Sequence, residues 1–424
     1  MKIEIRGARV VDPASGREEA ASLWIADGRI AAIGAAPGGL RADETIDASG
    51  LVACPGLVDL SARLREPGLE YRATLESEMA AAAAGGVTTF ACPPDTDPPL
   101  DEPGLVEMLK RRASGVHGSH AHPLGALTTG LKGERLAEMV QLAEAGCIGF
   151  FQGNAPLPDN GTLLEAMRYA ATFGFTVWLR PEDPALARGG VAHEGEVATR
   201  LGLPPIPVIA ETVATRTILE LMEATGARVH LARLSTGAAI ELVAQAKSRG
   251  APLTCDVGVH HLHLCDRDIA GFDSRANLAP PLRDPSDRER LRRALAEGVI
   301  DAVCSDHTPV DEDAKLLPFG EAEPGATGLE LLLPLTLQWG RECGLDLART
   351  LSAVTSRPAA VLRVGAGTLA AGAPADVCLF DPSRPWVVKP DALVSQGKNT
   401  PFLGLELTGR VVRTLVAGRT VYAA

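Results

Sequence analysis

The side chains best suited to hold a metal ion are few and scattered. His120-Ala121-His122 is a literal His-x-His, a spacing that can offer two imidazoles to one ion. It lies just before Leu124-Gly125-Ala126-Leu127, and a coincidence within a strand or loop is the simpler reading. His260, His261 and His263 form a second group, while His193 and His230 stand alone as candidates for packing or hydrogen bonding. The eight cysteines (54, 92, 147, 255, 265, 304, 343 and 378) contain no Cys-x-x-Cys pair. In a chain of 424 residues they read as buried thiols of a reducing cytoplasm, not as a disulfide framework.

Elements must position whatever chemistry exists, and their pattern is informative. Both ends read as short strands with turns. Lys2–Val11, Ser22–Ile25, Arg29–Ile33, Glu44–Ile46 and Leu51–Cys54 lie at the start, and Asp376–Phe380, Val387–Val388, Val411–Val416 and Thr420–Tyr422 at the end. Asp27-Gly28 and Ala417-Gly418 are turn signals. Between them, apolar strand-like runs alternate with helical patterns: Leu57–Leu60, Thr88–Ala91, Ile148–Phe151, Thr176–Leu179, Val229–Leu231, Leu253–Val257 and Ile300–Cys304. Glycine follows many of the helices (Gly85, Gly174, Gly226, Gly250, Gly298). About eight β/α units enclosed by two all-β ends predict an α/β fold. It is a distorted TIM (β/α)8 barrel over 55–365 with a small β-sandwich built from 1–54 and 366–424. Catalytic groups of such barrels sit just after the strands, so those positions carry the functional argument.

Composition removes several function classes. The formal charge is -12 with acidic and basic residues interspersed, which argues against nucleic-acid or anionic-membrane partners. The N-terminal residues lack a signal peptide's basic start and apolar core, and no apolar run approaches the roughly 18 residues of a membrane span. Aromatics are only 4%, so the core must be built from Ala, Val, Leu and Ile.

Several post-strand segments carry a family likeness. Pro55-Gly56-Leu57-Val58-Asp59-Leu60-Ser61-Ala62-Arg63-Leu64-Arg65-Glu66-Pro67-Gly68, Gly85-Gly86-Val87-Thr88-Thr89, Pro280-Pro281-Leu282-Arg283, Ser305-Asp306-His307-Thr308-Pro309 and Gly372-Ala373-Pro374-Ala375-Asp376 resemble, in order and spacing, the dihydroorotases of the amidohydrolase superfamily. The resemblance implies a metal-dependent hydrolase in which two zinc ions activate a hydroxide for opening or closing a cyclic amide. It also implies where the ligands belong: a His-x-His after the first strand, a bridging anionic group, two further His, and an Asp after the last strand that doubles as general base.

This chain departs from that set at nearly every position. The His-x-His positions are Ser61 and Arg63, the bridging run is Phe151-Gln152-Gly153-Asn154, and the later His positions are Arg180 and Arg233. Only Asp306 remains, as a vestigial base or a buried counter-ion. A guanidinium has no acceptor and a permanent charge, so Arg63, Arg180 and Arg233 cannot ligate zinc and would repel it. No cofactor is therefore expected. The expectation is that these arginines line the old metal cavity, pairing with Asp306 and Glu182 or with an anion. On the substrate side Arg65 is retained as a carboxylate clamp, but Asp95, Ala279 and Val310 replace family residues. The His260–His263 group matches a structural His-His-Leu of the family, and His307 is expected beside the site without touching substrate.

Further motifs resemble non-catalytic dihydroorotase-like chains that assemble with the catalytic chain of aspartate transcarbamoylase. They include Val10-Val11-Asp12-Pro13-Ala14-Ser15-Gly16, Cys92-Pro93-Pro94, Asp313-Ala314-Lys315-Leu316-Leu317-Pro318-Phe319-Gly320 and Pro401-Phe402-Leu403-Gly404. What this implies is a structural subunit of a pyrimidine-pathway complex, itself a homo-oligomer such as a dimer. Two other readings stay open: an active zinc enzyme with a displaced site using His120 and His122, and an anion-sensing module built on the arginines.

Overall fold

The computed structural model describes residues 1–116 and 118–424. Among them eight parallel strands form a barrel in chain order. They are Leu57–Asp59, Val87–Cys92, the pair His120–Pro123 and Gly125–Ala126, Phe150–Phe151, Thr176–Leu179, Arg228–Leu231, Leu253–Gly258 and Ala302–Cys304. The third strand is broken at Leu124; its first part pairs with the second strand and its last part with the fourth. A parallel bridge between Ala62 and His307 joins the ends of the first and eighth strands and closes the ring. Helices Leu75–Ala84, Pro103–Gly115, Met139–Ala145, Asn160–Phe173, Val208–Thr225, Gly237–Ser248, Pro285–Glu297 and Leu332–Glu342 follow the successive strands. The third strand is the one the hydrophobic runs do not reveal. It is short, polar at its start (His120, His122) and interrupted, so it lacks the continuous apolar signature of a buried parallel strand.

The helices end as their sequences dictate. Asn160–Phe173, Val208–Thr225 and Pro285–Glu297 stop at Gly174, Gly226 and Gly298, each left-handed at φ between 69° and 82°. A residue without Cβ adopts that conformation at no steric cost. The aliphatic interior replaces bulk with number: Leu, Val, Ile and Ala dominate one large cluster spanning barrel and helices, with Phe90, Phe150 and Trp339 among its few rings.

The two chain ends meet in one eight-stranded sheet. Lys2–Asp12 pairs antiparallel with Arg17–Ala26 and parallel with Glu44–Asp47 and Val52–Pro55. Val52–Pro55 in turn pairs with Val377–Val387, which carries Glu406–Val416 and Arg419–Ala423. Asp27-Gly28 and Ala417-Gly418 are two-residue hairpin loops with both residues at positive φ, the geometry that suits the strand twist. Ile3, Ile5, Val10, Leu23, Ile25, Val377, Leu379 and Leu415 bury a second core inside this β-domain. No helix among the described residues is long and apolar enough to cross a membrane.

Candidate functional site

The ends of barrel strands one, two, six and eight deliver an ionic cluster. Arg63 follows the first strand and is 3% exposed; Arg233 follows the sixth and is 2% exposed. Both donate through Nη1 to the same Asp306 oxygen, Oδ1, at 3.1 and 3.0 Å. Arg63 also gives Nε to Asp95 Oδ2 at 2.9 Å and Nη1 to the Thr308 hydroxyl at 2.9 Å. Arg233 gives Nη1 to the Ala279 carbonyl at 3.1 Å and Nη2 to Asn154 Oδ1 at 2.5 Å. The guanidiniums therefore bracket one carboxylate and fix the loops after six strands against each other.

Backbone and charge both show what this arrangement costs. Arg65, Arg233 and Asp306 lie at φ of 64°, 58° and 44°, a region costing non-glycine residues about 1–3 kcal/mol each. Strain at these positions persists only because the surrounding barrel over-determines it. Burial opposes every charge here. For Arg63, Asp95 and Asp306 outweigh burial and hold the guanidinium above its usual range. Arg233 has one carboxylate and two neutral oxygens; burial wins, Asp306 only partly compensates, and its pKa is lowered. Burial alone would raise Asp306, but Arg233 and then Arg63 override it and hold the carboxyl below the ordinary aspartate value. Asp95 follows the same pattern, with Arg63 and Arg65 overriding burial.

Not all the expected residues converge. Arg180 turns aside and pairs with Glu182 at 2.8 Å, reaching the cluster only through the Asn154 carbonyl at 3.4 Å. Gln152 is fully buried, but its amide faces the loops. It accepts from the Thr128 hydroxyl at 3.0 Å and donates to the Leu131 and Pro156 carbonyls. Ser61 is buried beside the cluster and its hydroxyl has no partner. Arg65 donates Nε to the Pro309 carbonyl at 2.8 Å and makes no ion pair among the described residues. Burial first, then the neighbouring Arg63, pull its pKa down to about 10.

Asp95 and Asn154 are the partners that sequence reasoning underrated. Asp95 stands out as an acid where a carboxylate substrate would bind, and its role becomes plain once Arg63 is placed beside it. Asn154 gave no signal, because an amide three residues past a strand is ordinary loop composition.

The histidines lie apart from the cluster. His120 and His122 sit at the start of the third strand, the opposite end of the barrel from Arg63 and Asp306. His120 pairs with Asp376 at 3.2 Å, and both histidines line an open cavity of about 1050 Å³ shared with Lys110 and Arg419. His307 is buried, with Nε2 2.5 Å from Glu78 Oε2 and Nδ1 accepting from the Gly328 amide at 3.1 Å. His261 and His263 bond to the Pro280 and Leu335 carbonyls; burial depresses His260, His261 and His263 to about 4, so all three stay neutral. His230 bridges Asp256 and Thr254.

The zinc ions implied by the family do not fit this donor set. Ser61 offers a hydroxyl, Gln152 an amide already engaged, and Arg63, Arg180 and Arg233 only N–H donors. Asp306 is the one carboxylate among the ligand positions, and two guanidiniums already hold it.

Comparison with known proteins agrees with the barrel. Residues 50–239 match the dihydro-orotase-like family model and residues 181–422 the amidohydrolase family model. A dihydroorotase-like protein of Pseudomonas aeruginosa is 47% identical over the whole of both chains. A dihydroorotase of Geobacter sp. (strain M21) is 41% identical, again over the whole of both. Among solved structures, the L-hydantoinase (dihydropyrimidinase) of Arthrobacter aurescens superposes with a TM-score of 0.88 at 28% identity, covering 99% of this chain and 96% of that one. This chain therefore belongs to the amidohydrolase family, among its dihydroorotase-like members.

Proposed function

We propose that the chain is a catalytically inactive dihydroorotase homologue, cytoplasmic, that serves as a structural subunit with the catalytic chain of aspartate transcarbamoylase. The observation that carries the reading is Asp306 clamped between Arg63 and Arg233. The one surviving family carboxylate is spent neutralising two buried cations, so it is free neither to hold a metal nor to move a proton. A carboxylate held below its usual pKa by two guanidiniums is also a weak base, which makes general-base chemistry without a metal unpromising. The barrel in this reading is retained for its outer surface. Dihydroorotate hydrolysis and carbamoyl aspartate cyclisation are assayed with zinc supplied, and no turnover is expected. Turnover that a chelator abolishes would overturn the reading. Light scattering of a mixture with the transcarbamoylase catalytic chain is expected to show a joint species; separate elution would remove the subunit role.

A second reading, an anion-sensing site, has one observation in its favour. Arg63, Arg65, Arg180 and Arg233 face three carboxylates, Asp95, Glu182 and Asp306, and buried Arg63 Nη2, Arg180 Nε and Arg233 Nε have no partner. An anion binding only the folded state would raise the melting temperature. Inorganic phosphate is the probe, and an unchanged melting temperature would dismiss this reading.

A further inference from the structure

Outside the mouth, a group of acidic side chains surrounds one histidine. His193 ends the short strand Ala192–His193, in the excursion that follows the fifth barrel strand. Asp284 and Asp287 lie at the start of helix Pro285–Glu297. One ligand atom from each of these three residues falls within 4.8 Å of the others. His193 is 6% exposed, and its Nδ1 is buried without a partner. Asp266, also 6% exposed, has a buried Oδ1 without a partner. A Cβ added at Gly195 would lie 3.7 Å from His193 Nε2 and 4.0 Å from Asp266 Oδ2, so the missing side chain leaves the ring edge open toward that carboxylate.

The carboxylates are partly committed, and arginines act on them only at a distance: Arg283 and Arg290 on Asp287, Arg267 on Asp266. Asp284 Oδ1 caps the helix by accepting from the Asp287 amide at 2.8 Å, and Asp287 Oδ1 accepts from the Gly237 amide at 2.8 Å. Each keeps its other oxygen free. Among the described residues, Asp266, Asp284 and Asp287 form no ion pair. Arg283, next in the chain, spends Nε on the Ser235 hydroxyl and Nη1 on the Ile206 carbonyl. Burial, and then the charge of Asp284, push the Asp266 and Asp287 carboxyls above their usual range. Three acids packed around a neutral imidazole that donates to nothing is an arrangement a dication completes.

We propose that His193, Asp284 and Asp287, with Asp266 beside them, form a site for a first-row divalent cation of the zinc class. One imidazole nitrogen with carboxylate oxygens suits zinc, cobalt or manganese; calcium and magnesium favour all-oxygen shells. The ion would act structurally. It would tie the excursion of strand Ala192–His193, helix Glu196–Leu201 and strand Pro205–Ile206 to the first turn of Pro285–Glu297. Val197, Ala198, Leu278, Leu282 and Phe319 already pack the apolar side of that junction.

The test titrates chelator-stripped full-length protein with cobalt(II), following its visible absorption, and with zinc by calorimetry. One saturable equivalent per chain is expected. His193→Gln and Asp284→Asn, the latter keeping an acceptor for the helix cap, should each weaken uptake by more than about tenfold. Absent saturable uptake in the parent protein, or uptake unchanged in folded His193→Gln and Asp284→Asn, overturns the site. The readout is metal uptake, so its failure leaves the mouth reading untouched, and dihydroorotate turnover would sink that reading without touching this one.

Discussion

The mouth of the barrel and the cluster at His193 solve opposite electrostatic problems. At the mouth, cations stand where family ligands belong, and carboxylates have been recruited to them: Asp306 to two arginines and Asp95 to one. At His193, carboxylates gather, and among the described residues no side-chain cation pairs with them directly; Arg283 and Arg290 act on Asp287 only from a distance. Both regions are mostly buried, with Asp284 half-buried, so unmatched charge is costly in each. The difference teaches where a missing partner should be sought. The mouth is nearly balanced by ion pairs among its own side chains, whereas the outer cluster makes none among the described residues and is offset only by more distant arginines.

Removing Asp306 is the most forceful way to break that contrast. Asp306→Ala leaves Arg63 and Arg233 facing each other in the interior, and breaking a buried ion pair costs about 3–5 kcal/mol. Urea unfolding measures it, and a loss under about 1 kcal/mol would mean the arginines reach water. Arg63→Met should cost less, roughly 1–3 kcal/mol, because it strands Asp95 while Arg233 still holds Asp306. If the two substitutions cost the same, Asp306 is not the centre of the mouth cluster.

At the outer cluster the effects are smaller without metal. Asp284→Ala removes a helix cap and should cost about 1 kcal/mol by thermal melting, while Asp284→Asn should be near neutral. Equal losses would mean that charge, and not capping, is what Asp284 contributes to the metal-free protein.

The smallest effect is one of slope with pH. The buried His260, His261 and His263 have folded pKa values near 4, below the unfolded value of about 6.5. The unfolded chain gains protons first as pH falls, so urea midpoints should drop between about pH 6.5 and 4. The depressed Asp306 and Asp95 add their loss only below about pH 3.9, as pH falls through their folded values. Asp287 runs the other way: its folded pKa is raised, so acidification favours the fold. Asp287→Asn should therefore steepen the fall in urea midpoint as pH drops toward the ordinary aspartate value of about 3.9. A shallower fall would place Asp287 in a stabilising charge pair after all.

Strand and helix pattern, chain-end β-structure, hairpin turns and family were all legible from the order of residues. They rest on local chemistry: Asp27-Gly28 and Ala417-Gly418 turn because of their own backbones, and helices end where glycine permits. The misfit of the mouth's ligand positions to zinc was also a property of residue type alone, since an arginine has no lone pair to give wherever it points. The third strand escaped because His120-Ala121-His122 carries no apolar run, and only its pairing with Thr89–Cys92 defines it.

Tertiary structure decided everything that depends on a partner far away in the chain. Arg63 meets Asp306 across 243 residues, and nothing in sequence separates Arg233, which turns to Asp306, from Arg180, which turns to Glu182. Gln152 faces its own loops, and His193 finds Asp284 and Asp287 only when a loop excursion folds against a distant helix start. Residue identity sets what a side chain can bind. Which of the available partners it does bind depends on rotamer and distance, and those exist only once the barrel has closed.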